Sequence, residues 1–389
     1  MILSDVHLST LSSSGPVHRG PDAAALVDRC LANAVDQTSW RAFAERVPLE
    51  IVLAGDIFDL DAPSLDASEP ELRARRAEDG AAIMMTRILA AHPTVVAALQ
   101  RAIGRGQRVA ILPGNHDSQL NLSSVRTLLA QALSSADWLT GGHADGRIAF
   151  RCWFHVTPDG ILVEHGHQYD PICRMRSVLP HVGPDGRLHL EQTVGTVATH
   201  HVASIFPDVD PFAVDPMKVL PAAPASMMLD QLKRPESAAA VAACARELLT
   251  VGDPVAIDSV IDPMIAEAAA ETRLRIPILA RHYDLAAPKS DAAFLAHAAS
   301  GGYDYGRDVD RRLRTAMRAS ADLYSVRAVV SGHTHDPFLE RDRAGRVFAN
   351  AGHWSPSTRG PIGTFVLVDT RDAAVHGHLC RVAADGSIG

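Results

Sequence analysis

The sequence predicts an α/β fold in which short buried strands alternate with helices and deliver polar residues to one edge of a sheet. Two observations predict the alternation: short apolar runs recur through residues 1–170 and 325–389, and helical patterns separate the first of them. A third predicts a site. Most of the runs stop at a cluster of Asp, His, Asn and Gly, and ligands of open α/β sheets bind beyond the carboxyl ends of the strands.

The elements follow in order. The first strand, 1–3, runs into Ser4-Asp5-Val6-His7, and helical patterns follow over 22–36 and 38–45. The strand at 50–54 ends in Gly55-Asp56-Ile57-Phe58-Asp59. Helices are expected over 71–89 and 95–103, the second closed by Gly104 and Gly106. The strand at 108–112 ends in Pro113-Gly114-Asn115-His116-Asp117. Strands at 147–150 and 152–155 precede 161–163, which runs into Glu164-His165-Gly166-His167. Residues 326–330 run into Ser331-Gly332-His333-Thr334-His335, and 346–349 and 364–368 complete the strands. Residues 171–324 differ: they are Ala-rich and helical in pattern over 192–205, 235–250, 254–272, 291–300 and 307–324. They are read as a helical insertion or cap dividing one sheet domain, 1–170 and 325–389.

Composition narrows the function classes. The chain has 389 residues, 47% of them hydrophobic, enough for a sizeable core. Its net charge of -8 argues against a dedicated nucleic-acid binder. No apolar run reaches the roughly 18 residues of a membrane helix, and no secretory leader pattern is visible. The five cysteines are scattered without a CxxC pair, which argues against a disulfide framework and places the chain in a reducing compartment, the cytoplasm.

The strand-end residues share one chemistry. Asp5 and His7 are two apart after a strand, and His333 and His335 repeat the spacing. Asp56 carries two carboxylate oxygens, Asn115 a neutral carbonyl oxygen and His165 another imidazole. Turn preferences explain Asn, Asp and Gly singly, but not three separate histidine-bearing strand ends. Oxygen and imidazole donors without thiolate suit manganese, iron or zinc. With Asp56 shared, the seven residues give four ligands to each of two divalent metal ions, manganese first, leaving room for water and substrate. Two metals about 3.5–4 Å apart clamp the attacking and leaving oxygens of a phosphoryl displacement.

At this point the sequence resembles the calcineurin-like metallophosphoesterases. Their motifs DxH, GDxxD, GNH[DE], a strand-end His and GHxH stand in order as Asp5-Val6-His7, Gly55-Asp56-Ile57-Phe58-Asp59, Gly114-Asn115-His116-Asp117, His165-Gly166-His167 and Gly332-His333-Thr334-His335. The resemblance covers roughly 1–170 and 325–389. It implies a four-layer β-sandwich flanked by helices, with one metal on Asp5, His7, Asp56 and His335 and the other on Asp56, Asn115, His165 and His333. It implies hydrolysis of a phosphomono- or phosphodiester by a metal-bridging water, with His116 protonating the leaving oxygen. Asp117 is expected to hold the His116 ring or its charge, and Asp59 to act from behind the ligands.

The substrate stays open between a small phosphorylated molecule and a nucleotide-linked one. His165-Gly166-His167-Gln168-Tyr169-Asp170 before a helical insertion looks like UDP-2,3-diacylglucosamine diphosphatases, whose helical cap binds acyl chains. That likeness implies a pyrophosphatase acting on a nucleotide-linked lipid, with peripheral membrane contact. The chain departs from it in carrying His116 where those enzymes have arginine, and His167 where they have aspartate. A related DNA nuclease would need a basic tracking surface, and a non-enzymatic scaffold would have lost ligands. His167 stays open between a substrate contact and a solvent-facing side chain, and His353 between a substrate contact and no role. No oligomeric state is read from the sequence.

Overall fold

The computed structural model describes residues 1–10, 20–61, 78–134, 146–170, 173–175, 180–182, 188–190, 193, 305–355, 361–371 and 374–389. The helices expected over 192–205, 235–250, 254–272 and 291–300 lie outside the described residues, Thr193 excepted.

The fold is α/β, with two mixed sheets. The first contains β1 (Ile2–Leu3), β2 (Glu50–Ala54), β3 (Arg108–Leu112) and β4 (Ile148–Phe150), all parallel. The second contains β5 (Phe154–Val156), β6 (Ile161–Glu164), β9 (Ala328–Ser331), β10 (Phe338–Arg341) and β11 (Val347–Asn350), with β6, β9 and β11 parallel. A small hairpin of β7 (His181–Val182) and β8 (Leu188–His189) stands apart. The chain then returns to the first sheet through β12 (Gly363–Asp369) and β13 (His376–Val382). The strand orders are β13-β12-β1-β2-β3-β4 and β10-β11-β9-β6-β5. β12 lies antiparallel to β1, with Val366 opposite Ile2.

Three apolar clusters separate the layers. Val52, Ala54, Ala110 and Leu112 of the first sheet meet Val163, Ala328, Val330 and Ala349 of the second, so the sheets pack face to face. The other face of the first sheet packs through Leu53, Val109 and Ile111 on helices α1 (Pro21–Ala44), α2 (Glu78–Ala91), α3 (Pro93–Gly104) and α4 (Ser123–Leu133). The outer face of the second packs through Leu162, Val329 and Phe348 on Leu313, Met317 and Ala321 of α5 (Tyr305–Tyr324). Strands buried on both faces account for unbroken apolar runs such as Ile51-Val52-Leu53-Ala54. Each fully buried Val, Leu or Ile contributes roughly 1.5–3 kcal/mol.

Several elements differ from the sequence reading. The patterns at 22–36 and 38–45 form the single helix α1, because nothing between them breaks it; Ser39 Oγ bonds back to the Asp36 carbonyl within the helix at 3.2 Å. Helix α5, read with the insertion, packs on the second sheet. Of the helix expected over 71–89, the described part starts at Glu78. No single described helix is long and apolar enough to cross a membrane; the apolar pair α2 and α3 is bent by 89°.

Candidate metal centre

The loops leaving β1, β2, β3, β6 and β9 gather every expected site residue. Backbone pairing holds them together: Val6 and His7 donate to the Asp56 carbonyl at 2.8 and 3.0 Å, and Gly332 to that of His165 at 2.9 Å. Among the described residues, seven non-glycine positions have positive φ, and five of them are Asp5, His7, Asp56, His333 and His335. Such conformations cost of order 1–3 kcal/mol each and persist where the surroundings over-determine them. Here they turn each side chain back toward the strand ends. Gly332 permits the closest approach, since a Cβ there would strike Ser4 Oγ and Asp5 Oδ2.

The donors form two adjoining groups. Asp5, His7 and His335 offer ligand atoms within 4.8 Å of one another, as do Asp56, His165 and His333. His335 Nε2 lies 3.2 Å from Asp5 Oδ1. His165 Nε2 lies 3.1 Å from Asp56 Oδ2 and 3.9 Å from Asp5 Oδ1, which joins the groups. Asp56 thus stands in the second group and reaches the first through His165. The His165 ring is oriented from behind: Nδ1–H donates to the Ala54 carbonyl at 3.0 Å, so Nε2 faces the carboxylates. Asn115 is buried beside His116, whose backbone N–H donates to Asp56 Oδ1 at 2.8 Å.

The donor set could hold a metal ion. Asn115 Oδ1 is buried and has no hydrogen-bond partner among the described residues, while His165 Nε2 pairs with Asp56 Oδ2. Buried polar atoms are nearly always paired, so the Asn115 oxygen asks for a missing partner such as an ion. A third group, Asp170, Cys173 and His333, shares a histidine with the second.

Electrostatics point the same way. Burial favours a neutral Asp5, yet His165 and His335 hold its carboxyl well below the usual carboxylate range. Asp56 is held down likewise, against burial, by His165 and His116. Burial opposes a charge on His165, but Asp56 and Asp5 raise it to about 9. His335 is raised by Asp5 against the same penalty. Burial lowers His7 and His167 well below the imidazole range, aided for His167 by His165 and His333. The two carboxylates and these two imidazoles therefore favour each other's charged forms.

Asp117 corrects an expectation. Its carboxylate does not hold the His116 ring. It accepts backbone N–H groups from Asp56 at 3.1 Å, Ile57 at 2.9 Å, Phe58 at 3.2 Å and Gly114 at 2.6 Å, pinning the loop after β2 to the loop after β3. Burial and the neighbouring Asp56 push its carboxyl up to about 7, against the pull of these amides. The carboxylate near His116 is Asp59, whose Oδ1 lies 3.8 Å from Nδ1. The His116 ring meets that of His7 edge-on, 5.2 Å between centroids.

Three further residues sit at the centre. His167 is buried, which rules out a solvent-facing role, and its ring lies 5.4 Å from that of His165. His353 stacks on His335 at 5.6 Å and donates from Nδ1 to the His335 carbonyl at 3.0 Å. Asp170, unassigned from the sequence, accepts from His333 Nε2 at 2.9 Å. Its signal was its place in His165-Gly166-His167-Gln168-Tyr169-Asp170, five residues past a candidate ligand.

Comparison of the chain with protein-family models and with curated proteins gives no match in either case.

Proposed function

We propose that this chain is a dinuclear metal-dependent phosphoric ester hydrolase of the calcineurin-like type. One observation carries the reading: two adjoining, largely buried groups of carboxylates and imidazoles, with Asn115 Oδ1 lacking a hydrogen-bond partner among the described residues, stand beside His116. Two face-to-face sheets with helices outside agree with the four-layer sandwich of that family.

Asp5, His7 and His335 would hold one cation and Asp56, Asn115, His165 and His333 the other, and in this reading Asp56 would serve both. Bound there, two divalent metals, manganese first and iron or zinc as alternatives, supply an acidified water and charge for the phosphoryl oxygens. The chain's own residues do the rest. Asp117 fixes the loops that carry Asp56 and Asn115. Asp59 lies 3.8 Å from His116 Nδ1, and His116 would deliver the proton to the leaving oxygen.

The test is direct. The metal-free chain is titrated with Mn²⁺, Fe²⁺ and Zn²⁺ and assayed on p-nitrophenyl phosphate, bis-p-nitrophenyl phosphate, a UDP-linked diphosphate and single-stranded DNA. Uptake of two equivalents with metal-dependent cleavage of a small phosphoester is expected. Two equivalents bound with no cleavage on any substrate would leave a metal-binding scaffold, and cleavage of DNA alone would make it a nuclease.

A further inference from the structure

His333 needs one ring nitrogen for the second cation, and the neighbouring chain decides which. Its Nε2 lies 2.9 Å from Asp170 Oδ2, and Asp170 is fully buried. A carboxylate oxygen at that distance accepts, so Nε2 carries the proton. The lone pair then falls on Nδ1, the nitrogen left for the group formed with Asp56 and His165. His165 is arranged the opposite way, with Nδ1–H on the Ala54 carbonyl and Nε2 toward Asp56. The two histidines of one group thus use different ring nitrogens, each fixed from behind.

Asp170 is itself held firmly. Gly166, at φ +108°, opens a 3-10 turn over His167–Tyr169, and the Asp170 N–H closes onto the His167 carbonyl at 3.1 Å. The Asp170 carbonyl accepts from Cys173 and Arg174 at 3.2 and 2.8 Å. Tyr169 donates to the buried Glu164 at 2.8 Å, tying the turn to the end of β6. The stretch that supplies ligand His165 therefore also supplies the partner that orients His333, from the other half of the chain.

We infer that Asp170 is the positioning residue of the second cation: it fixes the Nε2–H tautomer of His333 and so presents Nδ1 as the ligand atom. The inference rests on the two-cation reading. Hydrogen-bond partners of metal-binding histidines are typically worth 10–100-fold in metal affinity.

The experiment uses the full chain, Asp170→Ala and the milder Asp170→Asn. Histidine ¹⁵N shifts of the metal-free proteins are read at about pH 8.5, above the ordinary imidazole range, with His333 assigned from His333→Gln. Mn²⁺ is then titrated calorimetrically. Wild type is expected to show His333 as the Nε2–H tautomer and to take up two cations. Asp170→Ala should mix the tautomers and weaken one cation by roughly 10–100-fold while sparing the other. Asp170→Asn, which keeps an acceptor oxygen, should fall between them and serves alone if the alanine variant does not fold.

An Nδ1–H tautomer in wild type overturns the inference. So does unchanged affinity for both cations in either folded variant. A third equivalent bound by wild type and lost in Asp170→Ala also overturns it, by making Asp170 a ligand. A wild type that holds the Nε2–H tautomer yet binds no cation overturns the function proposed above, and with it the purpose given to the tautomer.

Discussion

The Asp117 carboxylate receives the backbone N–H of Asp56 at 3.1 Å, so one buried acid holds the peptide that carries another. Both oxygens are engaged, Oδ1 by Asp56 and Gly114, Oδ2 by Ile57 and Phe58. Truncating this side chain strands four buried amides. Each unsatisfied group costs about 1–3 kcal/mol, tempered by any water that enters. Asp117→Ala should lose about 3–5 kcal/mol in urea unfolding. Asp117→Asn, with one acceptor oxygen for two, should lose less. A loss under about 1 kcal/mol for the alanine variant would mean that the amides find other partners.

His116 makes a contrasting prediction. It contacts the ring of His7 and faces Asp59 without belonging to either ligand group. His116→Ala should keep both cations and lose about 10²–10⁴-fold in kcat on a phosphodiester. Metal analysis on the same preparation decides the role: a missing cation would make His116 a ligand.

Gly332 offers a test through volume alone. A Cβ there meets Ser4 Oγ and Asp5 Oδ2, whereas one at Gly104, at the end of α3, meets nothing within 4 Å. Gly332→Ala should abolish cation uptake at the Asp5 group. Gly104→Ala should bind both cations and gain up to about 0.5–1 kcal/mol of helix stability. Equal metal content in the two variants would show that the Asp5 loop can move aside.

Cation binding should release protons. His165 Nε2 faces Asp56 Oδ2 at 3.1 Å, and the carboxylates raise the ring to about 9, so below that pH an incoming metal displaces its proton. Affinity should rise with pH up to about 9. Titrations in buffers of different ionisation enthalpy should show release on the order of one proton or more. The sign for stability follows. In the cation-free chain, the raised imidazole contributes fully below its ordinary pH range, and the contribution fades as pH rises through about 9. Affinity independent of pH between 6 and 9, on the order of a threefold change or less, would mean that His165 is neutral before metal arrives.

Away from the centre, Asp36 on α1 accepts from Arg101 and Arg105 on α3, at 3.1 and 3.0 Å to its Oδ1. Burial opposes its charge, but the two guanidinium groups outweigh that and lower its carboxyl below the usual range. Its contribution is therefore present above the unfolded value of about 3.9 and lost as pH falls through the folded one. A double-mutant cycle with Asp36→Asn and Arg101→Ala should give about 0.3–1 kcal/mol at neutral pH, vanishing in acid. A coupling that persists in strong acid would exclude the ion pair as its source.

The strand-end clusters were legible because their signal is local: histidines among Gly and Asp straight after an apolar run need no partner to be noticed. Two edge strands, β10 and β13, were not. Phe338–Arg341 and His376–Val382 are half-exposed, and interleaved Glu, Arg and His dilute their apolar residues. Helix α4 begins without a side-chain cap, so nothing announces Ser123. Asp117 was expected at its neighbour His116 and Asp170 was given no role, because groups that they bond lie 61 and 163 residues away in the chain. A residue's type can be read along one dimension, whereas what it holds depends on which distant segment returns to it.

That return sets a timetable for synthesis. Asp5 takes the backbone N–H of His333 across 328 residues, and β1 sits between β2 and β12. At about 5–20 residues per second, the ribosome leaves Asp5 waiting on the order of tens of seconds for the segment that completes its cluster. A nascent chain has Asp5, His7 and Asp56 long before it has His333 and His335. If cations bind as proposed, their capture should therefore coincide with closure of β9 onto the second sheet.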